Sequence, residues 1–130
     1  MITGYINADR EAIIPLVILN PDRQQYAIEA VLDTGFNGYL TLTGEVIRQF
    51  NLPLVGNRRA MLGDGQAVVL DVFLSQVLWH GRTQEVLILQ ADGGPLVGMA
   101  LLYGSRVILD VQEEGGVTIQ DLPIPTGSKT

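Results

Sequence analysis

The sequence predicts a mostly β domain with one or two short helices, and two observations carry that prediction. Runs rich in Val, Ile and Leu recur at roughly ten-residue spacing, separated by Gly, Asn, Asp and Pro, as short strands joined by tight turns require. In the clearest run, "QYAIEAVL", Tyr26, Ile28, Ala30 and Leu32 share one face and Glu29 takes the other, the two-residue period of a pleated strand. At 130 residues the chain suits one domain, placed at 1–122, with a Pro- and Gly-bearing tail at 123–130.

In chain order, "AIIPLVIL" (12–19), "QYAIEAVL" (25–32) and "YLTL" (39–42) read as the first strands. A helix follows at "TGEVIRQFNLP". Thr43 can cap it, Glu45 suits the positive end of the helix dipole, and Val46, Ile47 and Phe50 make an apolar stripe. Asn51 and Pro53 stop it. Strands then follow at "AVVLDVFLSQVLW" (67–79), "EVLILQ" (85–90), "RVILDV" (106–111) and "VTIQ" (117–120). "MALLYG" (99–104) fits either a second short helix ended by Gly104 or a buried strand. Two glycine-bearing hairpins are expected, one at "MLGDGQAVV" around Gly63, Asp64 and Gly65, the other at Gly115-Gly116. A weak internal echo links "AVLDTGFNGYLTL" with "GGPLVGMALLYG", as if one half-domain plan were used twice.

Composition narrows the function. A net charge of -6, with cations scattered apart from Arg58-Arg59, disfavours nucleic acid and anionic membranes as partners. The chain has no cysteine, which removes thiolate metal sites and thiol nucleophiles and fits a cytoplasmic setting. No secretory leader or membrane-length apolar run is visible, and no metal or other cofactor is expected. The serines lie outside any G-x-S-x-G elbow, and the single histidine, His80, reads as a surface or turn residue. "GGPLVG" lacks the Lys-Ser/Thr pair of a phosphate loop.

The acids Asp33, Asp64, Asp71 and Asp110 remain. Two carboxylates within a few ångströms share a proton, so one can take a proton from a water while the other hydrogen-bonds the developing oxyanion. Asp-Thr-Gly at 33–35 suits such work, since Asp is short and rigid, a hydroxyl can tie down backbone, and glycine admits close main-chain approach. Taken alone, the tripeptide reads first as a plain turn, and only its context turns the reading toward catalysis. Asp71 and Asp110 interrupt apolar strands and read as solvated charges, and Arg58-Arg59 reads as a solvated pair.

"AVLDTGFNGYLTL" resembles the active-site segment of retropepsin-like aspartic proteases. The likeness extends to "LGDGQ", placed where that family has its flap, and to "PLVGMALL", similar to its second signature. The resemblance spans residues 11 to 121 and implies a single-lobed, closed β-barrel-like acid-protease domain. It implies an aspartic endopeptidase that hydrolyses extended polypeptide. With one Asp-Thr-Gly per chain, the active form would be a homodimer pairing Asp33 with its symmetry mate. Asp33 would be the catalytic acid and base. Thr34 would lock the two loops together, and Gly35 would present its carbonyl to substrate. Leu62, Gly63, Asp64 and Gly65 match the flap, and Leu96, Val97 and Gly98 would support the loop from below. Asn37 stands where the family usually has Ser or Thr, so an amide N–H would replace a hydroxyl beside the carboxylate. Met99-Ala100 also departs from the family pattern. A dimeric peptide-binding module with weak or lost catalysis is the alternative.

Overall fold

Ten strands and two short helices make up the described residues, 1–61 and 63–123, of a computed structural model. The strands are β1 Ile2–Ile6, β2 Ala12–Leu19, β3 Gln25–Leu32, β4 Leu40–Leu42, β5 Leu54–Met61, β6 Ala67–Trp79, β7 Arg82–Gln90, β8 Leu96–Val97, β9 Ser105–Leu109 and β10 Gly116–Asp121. The helices are α1, Gly44–Gln49, and α2, Met99–Leu102. Leu62 and all but the first residue of the expected tail lie outside the described residues.

The strands join in the order β5-β6-β7-β4-β8-β3-β2-β1-β10-β9. A short pairing of β2 with β6, Ile18 opposite Val77 and Leu19 opposite Gln76, closes six of them into a ring. The expected closed barrel is therefore a ring with extensions: β5 hangs from β6 on one side, β1, β10 and β9 from β2 on the other. Among the described residues both β5 and β9 keep a free edge.

Ile14, Ile18, Leu40, Leu42, Val77, Ile88, Val97 and Ile119 are almost wholly buried and belong to one core cluster. Strand β2, paired to β1, β3 and β6, buries residues on both faces, which is why its sequence is a continuous apolar run. In α1, Thr43 Oγ1 accepts from the Val46 N–H at 3.3 Å and Ile47 is buried. Phe50 stacks on Tyr26 at 4.0 Å between ring centroids, and Asn51, at φ 59°, ends the helix in the left-handed region. The "MALLYG" segment is helical, since Leu101 and Leu102 both donate to the Gly98 carbonyl and are buried.

The structure repeats a plan in two units that are offset from the echoed segments, the second of which, 93–104, begins after β7. A strand, a loop, a short strand and a helix occur as β3-β4-α1 and again as β7-β8-α2. These units interlock, with β3 parallel to β8, β4 parallel to β7, and β4 antiparallel to β8 between them.

Three strands were not expected from the sequence, β1, β5 and the two-residue β8. The β6–β7 turn is the two-residue loop His80-Gly81, with φ 53° and 76°, the pair of positive values that a type I′ hairpin needs.

Candidate active site

Strand β3 ends by delivering Asp33 into a loop that runs to Tyr39. Its parallel partner β8 holds the chain in register there, Val31 opposite Leu96 and Leu32 opposite Val97, and the Asp33 N–H donates to the Val97 carbonyl at 2.9 Å. Asp33 is half-buried, and its Oδ1 accepts from the Gly35 N–H at 2.9 Å. The Phe36 N–H returns to the Asp33 carbonyl at 3.1 Å. The carboxylate is thus oriented by its own loop, and Oδ2 carries no hydrogen bond among the described residues.

An Asx turn of this kind also occurs at ordinary strand ends. What distinguishes this one is the support beneath it. The Gly98 N–H donates to Tyr39 at 3.1 Å, Met99 to Phe36 at 2.8 Å and Ala100 to Gly38 at 3.1 Å, each to a backbone carbonyl. A Cβ on residue 98 would lie 2.3 Å from the Gly38 oxygen and 2.6 Å from the Phe36 oxygen. Gly98 has an extended backbone, φ -104° and ψ -179°, so close packing and not conformational freedom demands glycine. Buried Thr41 completes the support, its Oγ1 accepting from the Leu96 N–H at 3.0 Å.

Thr34 and Gly35 are exposed beside Asp33. Asn37 is exposed as well, and the carboxylate takes its hydrogen bond from Gly35, so the expected amide contact from Asn37 is not made. The hairpin expected around Gly63, Asp64 and Gly65 forms from β5 and β6, Met61 opposite Ala67. At its tip Gly65 adopts φ 86° and Asp64 Oδ1 accepts from the Gln66 N–H at 2.9 Å. Gly63 and Gly65 face open space.

The stem of this hairpin, not its tip, meets the Asp33 loop. Asn37, Gly38 and Tyr39 line a pocket of about 100 Å³ with Arg58 of β5 and with Leu87 and Leu89 of β7. Register explains which arginine takes part. Arg58 lies opposite Leu70, and Val72 lies opposite Leu89, so Arg58, Leu70, Val72 and Leu89 share one face. Arg59 lies opposite exposed Val69 on the outer face. The sequence reading of a solvated pair fits both residues, which are exposed, and misses only that Arg58 also lines this pocket. The missing signal was the strand assignment of β5, because period-two alternation separates adjacent residues.

The other candidates sit apart from the loop. Asp71 and Asp110 are exposed. His80 Nε2 lies 2.8 Å from Ser105 Oγ, but its Nδ1 is buried with no partner, so no third group orients the ring as a nucleophile's base requires. Burial is the main cause of its lowered pKa; the N-terminus and Arg82 act the same way, against Asp121. Among the described residues no three His, Cys, Asp or Glu side chains converge as a metal site would need. A larger groove of about 720 Å³ lies between the Asn7–Arg10 and Val111–Glu114 turns and contains none of the expected site residues.

No helix among the described residues is long and apolar enough to cross a membrane. No family model matches the chain, and no curated protein matches it in sequence. Among solved structures it is similar to a retropepsin-like aspartic protease from Rickettsia conorii, with a TM-score of 0.58 over 91% of this chain and 88% of that one. The two are 15% identical, a level at which the likeness speaks to architecture: the chain has a retropepsin-like fold.

Proposed function

We propose that the protein is an aspartic endopeptidase active as a homodimer. The observation that carries this reading is the Asp33 loop itself. An oriented, half-buried carboxylate stands on a glycine-packed platform in a retropepsin-like fold, with Thr34 and Gly35 exposed beside it. In the proposed reaction two Asp33 carboxylates share one proton. The ionised one takes a proton from a water, the water attacks the peptide carbonyl, and the protonated one hydrogen-bonds the oxyanion. Proton transfer to the leaving nitrogen then breaks the C–N bond. Gly35 would meet substrate main chain, and the hairpin tip at Leu62, Gly63, Asp64 and Gly65 would cover an extended peptide as an added strand. Thr34 would tie the two loops together, which its exposure allows.

The chain contains one Asp-Thr-Gly, so the second carboxylate must come from an identical chain. A β9 edge left free among the described residues, with exposed Ile108 and Leu109 and continuing to exposed Val111, supports self-association on that flank. A cysteine-free chain suits a reducing compartment such as the cytoplasm. One observation favours the alternative of a peptide-binding module: Asn37 gives the Asp33 carboxylate no hydrogen bond. Cleavage of an unfolded protein at mildly acidic pH decides between them. Asp33→Asn, which can keep the Gly35 contact, should abolish cleavage while leaving the fold and dimer intact. Unchanged cleavage by Asp33→Asn would refute the dyad.

A further inference from the structure

We infer that the pocket around Arg58 is a substrate subsite selective for an acidic side chain, an inference that rests on the peptidase reading and adds a specificity to it. At about 100 Å³ the pocket has room for one side chain and is well below the roughly 300 Å³ at which small-molecule sites begin. Its other lining residues are uncharged: Asn37, Gly38, Tyr39, Leu87, Leu89 and Ala100. Arg58, itself exposed, is therefore the single charged residue lining it. Arg58 has no carboxylate partner among the described residues, where the ion pair is Arg82 with Asp121.

A guanidinium stays protonated at any working pH and presents a fork that matches a carboxylate. The Asn37 amide supplies a further donor without charge. The location also fits. Asn37 lies four residues beyond Asp33, on the same loop, and β5 is the outer strand of the hairpin proposed to cover substrate. The whole chain, at -6, repels an acidic peptide at long range, so this preference is local and belongs to one position of the peptide. In a two-fold dimer the pocket occurs twice, and the preference should recur on both sides of the scissile bond.

The test is a peptide set with an apolar scissile pair and with Glu, Gln or Lys placed at each flanking position in turn. Binding is measured on the Asp33→Asn protein and cleavage on the wild type. At one position on each side, Glu should exceed Gln by about tenfold at low salt, with Lys weaker still, and the gap should shrink as salt is added. Arg58→Gln should erase the preference, Arg58→Glu should turn it toward Lys, and Arg59→Gln should leave it unchanged. Cleavage without a charge preference, or loss of the preference in Arg59→Gln, overturns the inference while the peptidase reading stands. A Glu preference in binding with no wild-type cleavage supports the pocket and overturns the peptidase. Absence of both binding and cleavage overturns both.

Discussion

Replacing Gly98 with alanine probes the platform under Asp33 directly. The new methyl carbon would sit 2.3 Å from the Gly38 oxygen, 2.6 Å from the Phe36 oxygen and 2.5 Å from the Phe36 ring. Two of these atoms are backbone, so no side-chain rotation relieves the overlap and the 36–38 loop must lift. Overpacking of this kind costs about 1–3 kcal/mol. Lifting the loop also strains the hydrogen bonds from Met99 to Phe36 and from Ala100 to Gly38, each worth about 1 kcal/mol. A loss of about 2–4 kcal/mol follows, which in a domain of this size lowers Tm by about 6–20 °C. Scanning calorimetry of Gly98→Ala beside Gly94→Ala provides the comparison. A Cβ at Gly94 meets nothing within 4 Å, so that variant should stay within about 1 kcal/mol of wild type. A Gly98→Ala protein that melts within about 2 °C of wild type would refute the platform. In the fraction that folds, a loop displaced by about 1 Å should cut cleavage about a hundredfold.

Thr41→Val removes the acceptor of the Leu96 N–H and should cost about 1–3 kcal/mol in urea denaturation, whereas Thr41→Ser should retain most of the stability. Equal losses in the two variants would show that the hydroxyl does not matter. His80 has a lowered pKa, first because of burial, so below about pH 6.5 the unfolded chain binds more protons than the folded one. Stability should therefore fall as pH drops from about 6.5 toward the depressed folded pKa and level off beneath it. His80→Asn, whose residue tolerates φ 53°, should flatten that part of the profile, and unaltered slopes between pH 7 and 5 would contradict the assignment.

Much of the fold was readable because burial imposes local patterns. The expected segments for β2, β3 and β6 coincide with the strands, each carrying an apolar face or a continuous apolar run into the core cluster. Strand β1 escaped because Gly4 interrupts it. The glycine is there because a Cβ would lie 1.9 Å from the Ile13 oxygen of β2, a contact that local propensity does not register. Strand β5 escaped because nearly every residue in it is exposed: pairing with β6 makes it a strand, and no buried face marks it. The same miss hid that Arg58 lines the pocket. In the loop, the turn at Asp33 was visible as sequence, while its support by Gly98 and Thr41 depends on β8 inserting between β3 and β4, a nonlocal arrangement. The expected bond from Asn37 to the carboxylate is not made: Asn37 is exposed, and the Gly35 N–H, two residues from Asp33, is the donor to Oδ1.

The central claim is that two copies of Asp33 make one active site. Wild-type and Asp33→Asn chains, unfolded together at equal amounts and refolded at constant total concentration, test it most directly. If each site needs both carboxylates, random pairing leaves about a quarter of the dimers active, and cleavage falls to about a quarter of the all-wild-type value. Cleavage at about half that value would mean that each chain acts with its own Asp33, and would contradict the account.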